Sequence, residues 1–184
     1  MNLRNEEAKV YIFAGVARSG KDTSADYMKE FLEKEGRKVI KLQFSSYIKM
    51  YAKEISSWDG SEEEKPRELL QTLGTDIIRN KIDFYFFINR IIEDIKVYSY
   101  FFDAIIISDA RLKEEITCVK ENFKYVKSIL VERPSYESNL TDKEKKHITE
   151  IGLEGYNDYD YTLINDSDLI SLKEKVEKLL KEEM

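Results

Sequence analysis

Apolar runs and helical stripes alternate along this chain. Val10–Ala14 (VYIFA) is an unalternating apolar run that ends at Gly15, the pattern of a strand buried on both faces of a parallel sheet. From Asp22 to Glu35 the period becomes helical. Ala25, Met28, Phe31 and Leu32 share one side, charges take the other, and Gly36 stands where a C-cap ends the helix. Val39–Phe44 predicts a second strand, and Tyr47–Ile55 and Pro66–Leu73 predict two helices. Asp76–Tyr100 carries dense apolar and aromatic positions at helical spacing, with one break near Asp83. Ala104–Ser108 (AIIIS) has the strongest strand pattern of the chain, apolar and β-branched. Helix Leu112–Asn122, strand Val126–Val131, a polar stretch, a short strand Tyr161–Ile164 and an amphipathic helix Leu169–Leu180 complete the order. Strands alternating with helices predict an α/β domain in three layers, with a mostly parallel central sheet flanked by helices.

Composition narrows the classes. The 184 residues suit one domain spanning 1–184, and 42% hydrophobic, 36% charged and 12% aromatic residues describe a globular chain, not a disordered one. A net charge of −6 argues against a nucleic-acid polymer as partner. Cys118 is the single cysteine and His147 the single histidine, so neither an internal disulfide nor a zinc site is expected. No apolar run has the roughly 20 residues of a membrane span, and the N-terminus lacks a signal peptide's apolar core. The expectation is a cytoplasmic protein without membrane contact.

In parallel α/β sheets ligands bind beyond the carboxyl ends of the strands. The first such exit reads Gly15-Val16-Ala17-Arg18-Ser19-Gly20-Lys21-Asp22-Thr23, a G-x-x-x-x-G-K loop in which Asp22 displaces the usual Ser/Thr by one position. Glycines let successive N–H groups converge on phosphate oxygens, the following helix presents its positive end, and Lys21 reaches the β- and γ-phosphates. A plain strand–turn–helix connection is the competing reading. Asp22 has two readings as well. It sits beside a triphosphate through a magnesium ion, or it is a helix-start carboxylate favoured by the dipole. Asp109, at the end of a buried strand, is either a metal-side carboxylate or a cap for the next helix.

Beyond the loop, the chain resembles the deoxynucleoside monophosphate kinases of the bacteriophage type. GVARSGKDTSAD (15–26) is similar to that family's phosphate loop, and RELLQTLGTD (67–76) to an internal signature. SDARLKEE (108–115) looks like its strand end carrying Asp and Arg. VERP (131–134), HITEIGL (147–153) and TLINDSDLISLKEKV (162–176) resemble its C-terminal third. The resemblance implies a P-loop nucleoside monophosphate kinase fold and transfer of the γ-phosphoryl group of ATP to a deoxynucleoside monophosphate. Three departures stand out. The Ile55–Pro66 segment is shorter than in phage members that carry an insertion there, Ala17 replaces a basic residue of some relatives, and the family's substrate-helix aromatic falls on Phe87.

The implied roles can be placed by number. Gly15, Arg18, Ser19, Gly20, Lys21, Asp22 and Thr23 would bind ATP, with Mg2+ near Asp22, Thr23 and Asp109. Lys21, Arg67 and Arg111 form the catalytic set, Arg67 gripping the acceptor phosphate and Arg111 stabilising the moving phosphoryl group. Ile48, Lys49, Arg67, Gly74, Thr75 and Phe87 would contact the acceptor. Each has a plainer reading: a surface ion pair for Arg67, Arg79 and Arg111, solvation for Lys49, and core packing for any ring of Phe84–Phe87. The His147–Glu150 segment reads as structural or lid-forming and stays outside the catalytic set. Other small-molecule P-loop kinases (phosphomevalonate-type or dephospho-coenzyme A-type) and a non-catalytic nucleotide switch are the rival readings. A monomer and a homodimer are both compatible with the chain.

Overall fold

The computed structural model describes residues 4, 6–134 and 148–183. Five strands, β1 (Lys9–Ala14), β2 (Val39–Leu42), β3 (Ala104–Ala110), β4 (Val126–Glu132) and β5 (Tyr161–Ile164), form one sheet in the order β2-β3-β1-β4-β5. Every pairing is parallel. β1 therefore lies at the centre; the chain leaves it for the edge strand β2, returns to β3 beside it, and then crosses to β4 and β5 on the other side, a reversal of direction of the kind that opens a crevice at the strands' carboxyl ends.

Strand alternation divides the core. Val10, Ile12 and Ala14 of β1, with Ile105 and Ile107 of β3, face one side of the sheet. There they meet Phe87, Ile88, Ile91 and Ile95 of helix α4 (Phe86–Tyr98), and Ile116 and Val119 of helix α5 (Lys113–Asn122). Tyr11, Phe13, Ile106, Ile129 and Val131 face the other side. They pack on Ala25, Met28 and Leu32 of helix α1 (Lys21–Lys34), and on Leu172, Val176 and Leu180 of the C-terminal helix (Leu169–Glu183). Both faces are covered, which is why the strands read as continuous apolar runs.

Two local features position the site. Between the pairs Ile12↔Ile107 and Ala14↔Ala110 the register shifts, so Ser108 and Asp109 together oppose the single residue Phe13. The strand expected to end at Ser108 thus continues to Ala110, and the bulge turns two polar side chains toward the sheet's end. The second feature follows helix α2 (Ser45–Ile55) and the short helix α3 (Arg67–Gln71). Thr72–Ile82 is a π-helix of 11 residues, where the sequence pattern predicts ordinary helix. Its buried positions Leu73, Gly74, Ile78 and Arg79 recur every five residues. In an α-helix, five residues advance the chain about 140° past a full turn; in the wider helix Gly74 and Arg79 fall on one face. A smaller cluster of Ala52, Trp58 and Leu73, with Ile48 and Leu70 against it, backs this wall.

Candidate active site

The loop after β1 is shaped by its backbone. Gly15 has φ 145° and Gly20 has φ 105°, values that L side chains rarely adopt. A Cβ on Gly15 would lie 2.5 Å from the Val131 carbonyl oxygen, and one on Gly20 would lie 2.6 Å from Asn165 Nδ2. Arg18 also takes a left-handed conformation, with φ 60°. Asn165, at the exit of β5, donates from Nδ2 to the Ser19 carbonyl at 2.9 Å and ties the loop to the far strand. Gly15 and Ser19 are buried in the turn, and Ser19 Oγ has no hydrogen-bond partner among the described residues.

Lys21 opens α1 and is buried, with its ammonium donating to the Val16 carbonyl at 2.6 Å. Burial, and after it the neighbouring Arg111, pulls this group from 10.5 down to about 8, while Asp109, Asp22 and Glu150 oppose the shift. A buried cation held below its usual range gains from any anion brought beside it.

Two compartments open at the carboxyl ends of the strands. One, of about 540 Å³, is bordered by Arg18, Gly20, Lys21, Thr23, Arg133, Asn165 and Leu169. The other, of about 480 Å³, is bordered by Ile48, Lys49, Lys65, Arg67, Gly74, Thr75 and Arg79. Asp22, Asp109 and Arg111 border both. The compartments are neighbours, and these three side chains mark the junction.

The junction residues are held by named partners. Asp22 Oδ1 accepts from Ser108 Oγ at 2.7 Å and from Gln43 Nε2 at 2.9 Å, and Gln43 also donates to Ser108 Oγ at 3.0 Å. This closed triangle fixes Asp22 through one oxygen only. Asp109 accepts from the Phe44 amide at 2.9 Å and the Ser45 amide at 3.0 Å, so it holds the entry of α2. Arg111 donates from Nη1 to Glu150 Oε1 at 2.5 Å, and Glu150 Oε2 accepts the Ala17 amide at 3.2 Å. Glu150 lies on a one-turn helix, Ile148–Ile151.

Behind Arg111 sits a buried pair. Glu115 accepts from Arg79 Nη2 at 2.9 Å, from the Arg111 amide at 2.7 Å and from the Leu112 amide at 3.1 Å. Burial pushes the Glu115 carboxyl up to about 7, against the pull of Arg79 and the amides. All three partners are donors, an arrangement that the ionised carboxylate satisfies. The Arg79 guanidinium also lies 5.1 Å from the centre of the Phe87 ring. The pair therefore joins the π-helix to the backbone of Arg111.

The sequence-derived site residues divide accordingly. Arg18, Gly20, Lys21, Asp22 and Thr23 border the first compartment. Ile48, Lys49, Arg67, Gly74 and Thr75 border the second, and Arg111 and Asp109 border both. Phe87 corrects its expected place: it is fully buried in the core beneath Arg79 and offers no face to a substrate. Arg79 is likewise no surface group, because its partner is the buried Glu115. His147 lies outside the described residues. Glu150, read from the sequence as part of a structural or lid-forming segment, borders the second compartment and pairs with Arg111. Nothing in the sequence pattern marks Gln43, Ser108, Glu115, Arg133 or Asn165 individually, although the strand-exit rule points to the segments holding Arg133 and Asn165.

Magnesium prefers oxygen ligands and usually takes one or two carboxylates together with substrate phosphates. Asp22, anchored through Oδ1, and the Thr23 hydroxyl fit that donor chemistry. Both Asp109 oxygens already accept backbone amides. Among the described residues, no three His, Cys, Asp or Glu side chains gather into a metal site of their own. Among them too, no helix is long and apolar enough to cross a membrane.

Comparison with known proteins agrees with this geometry. Residues 36–176 match the family model described as deoxynucleotide monophosphate kinase. A stretch of 116 residues is 34% identical to the deoxynucleotide monophosphate kinase of Enterobacteria phage T4. That match covers 62% of this chain and 45% of the phage protein, so it spans less than half of that relative's length. Among solved structures, the APS kinase of Mycobacterium tuberculosis in complex with AMPPNP and APS is similar at a TM-score of 0.59 and 14% identity, over 95% of this chain and 98% of that one. Shikimate kinase from Aquifex aeolicus is similar at a TM-score of 0.54 and 13% identity, over 95% and 97%. At such identities the two likenesses speak for the fold, that of the small-molecule P-loop kinases.

Proposed function

The chain belongs to the deoxynucleotide monophosphate kinase family, and from that premise we propose that it transfers the γ-phosphoryl group of ATP to a deoxynucleoside monophosphate. The observation that carries this reading is the pair of adjoining compartments sharing Asp22, Asp109 and Arg111. A nucleotide switch needs one anion site. Here a second compartment adjoins the phosphate loop, with the exposed Arg67 on its wall beside Lys49 and Lys65, which face Glu62, and Arg79, which pairs with Glu115.

In this reading the loop amides and Lys21 hold the donor's phosphates, and Arg18 and Arg133 border the rest of the nucleotide. Arg67 takes the acceptor's monophosphate, with Lys49 beside it, in charge-assisted hydrogen bonds. An oxygen of that monophosphate attacks the γ-phosphorus, the bond from the γ-phosphorus to the β–γ bridging oxygen breaks, and ADP leaves with that oxygen. The nucleophile is an anionic oxygen, so the site needs charge stabilisation more than a base. Arg111 supplies it at the junction. Asp22 and Thr23 would hold a divalent cation, which when bound neutralises charge on the β- and γ-phosphates. The whole chain acts as one kinase domain.

The test incubates the protein with Mg2+, ATP and each deoxynucleoside monophosphate in turn, and separates the nucleotides. The expected result is one ADP and one deoxynucleoside diphosphate per turnover with at least one acceptor. ATP binding or hydrolysis without any such diphosphate, or transfer only to a phosphorylated acceptor that is not a nucleotide, overturns the reading.

A further inference from the structure

The Glu150 carboxylate borders the second compartment, beside Ala17 of the loop after β1 and Arg111 of the junction. One of its oxygens accepts an amide of the phosphate loop, Ala17 N–H at 3.2 Å, and the other accepts Arg111 Nη1 at 2.5 Å. A loop amide and an arginine at a strand exit are the donors that an anionic oxygen cluster would take. The Glu150 side chain is only 12% exposed, although it comes from a one-turn helix far along the sequence. Lys21 complements the arrangement, because its ammonium turns back onto the Val16 carbonyl. Three donors at the mouth of the loop thus have partners within the protein: an acid on the amide and arginine, and a carbonyl on the lysine.

We infer that Glu150 is a built-in anion that occupies the Ala17 amide and Arg111 from the side of the second compartment, and that a triphosphate must displace its carboxylate to engage those two donors. The inference deepens the proposed function and rests on it only for the identity of the ligand. The segment is tied down close by. The Gly152 carbonyl accepts the Lys113 amide at 3.1 Å, and a Cβ on Gly152 would lie 2.7 Å from the Arg111 carbonyl oxygen. With that anchor two residues away, the exchange requires movement of the Glu150 side chain and its own turn. Neither donor loses by it, since Ala17 N–H and Arg111 trade a carboxylate for a phosphate. Arg111 is released from Glu150 only as the donor arrives, which keeps the transfer arginine occupied until there is a phosphoryl group to move.

A site whose competent form is one-tenth populated binds about tenfold more weakly than its intrinsic affinity. Inorganic tripolyphosphate is the probe, titrated calorimetrically into the native protein, Glu150→Gln and Glu150→Ala, with thermal melts run in parallel. Both variants are expected to bind tripolyphosphate about tenfold more tightly than the native protein. Glu150→Asp, whose shorter side chain cannot bridge both donors, is expected to shift the same way and serves if the other two lose their fold. Unchanged or weaker binding in the folded variants overturns the inference, even in a protein that phosphorylates deoxynucleoside monophosphates. Tighter binding in a protein that phosphorylates none of them supports the inference and overturns the functional reading instead.

Discussion

The two compartments are built by opposite means. The compartment proposed for the donor is made mostly of backbone: a loop with two glycines at positive φ, the start of α1, and Asn165 tying the loop to β5. The compartment proposed for the acceptor is made of side chains gathered from α2, α3 and the π-helix, and several of them, Arg67 and Gln71 included, are exposed. A backbone cradle is contiguous in sequence and tolerates few changes, because each glycine is fixed by conformation or by a close neighbour. A side-chain wall is assembled from distant segments and depends on what packs behind it, here the Arg79–Glu115 pair. The donor side should therefore fail through chemistry, and the acceptor side through positioning or stability as well.

Breaking the donor side gives the largest effect. Lys21→Ala removes the one buried ammonium of the loop and is expected to lower turnover by roughly 10²–10³-fold or more, the scale for losing a group that stabilises developing charge. The melting temperature should stay near native; a variant with native turnover contradicts the phosphate-loop reading. On the acceptor side, Glu115→Ala leaves Arg79 buried without its partner and is expected to destabilise the fold by about 3–5 kcal/mol, read by chemical denaturation. A loss below about 1 kcal/mol, within the range of a surface ion pair, would show that the pair is not a structural support.

Two smaller effects sharpen the junction. Asp22→Asn should bind ATP roughly tenfold more tightly than native protein in chelator, because one repulsive charge is gone, and more weakly in magnesium. A small shift in the same direction under both conditions would make Asp22 a helix-start carboxylate only. The depressed Lys21 gives the smallest signal. Below about pH 8 the free protein carries the charged ammonium, and above it the charge is lost. ATP affinity should thus fall by about tenfold per pH unit above pH 8, until the higher value of the nucleotide-bound state is reached. Whatever weak ATP binding Lys21→Ala retains should lack this slope.

The same contrast governs what the sequence makes legible. The strands and helix α1 are readable because burial on both faces writes unbroken apolar runs and a helical stripe writes its period. The phosphate loop is readable because its chemistry is local. Thr72–Ile82 is not, since a five-residue recurrence of buried positions looks like noise against a period of 3.6, and Arg79 then falls on the wrong face. Glu115 hides as one of two adjacent acids at a helix start; only the fold reveals that it alone is buried against Arg79. Phe87 sits among four consecutive aromatics, and nothing in their spacing says which ring meets the core. Glu150 reaches Ala17 across 133 positions of sequence, a contact that no local pattern encodes.

The central claim is that two adjoining but separable anion sites face each other across Asp22, Asp109 and Arg111. Calorimetric titration of ATP and of a deoxynucleoside monophosphate, each alone, into Lys21→Ala and Arg67→Ala tests it most directly. Losing the Arg67 contact should weaken monophosphate binding by about 2–4 kcal/mol, at and somewhat beyond the range for charged hydrogen bonds because a phosphate is left unpaired, and leave ATP affinity within a factor of two. Lys21→Ala should do the reverse, losing ATP and keeping the monophosphate. If either variant lost both ligands in equal measure, the two compartments would be one site and the account would be wrong.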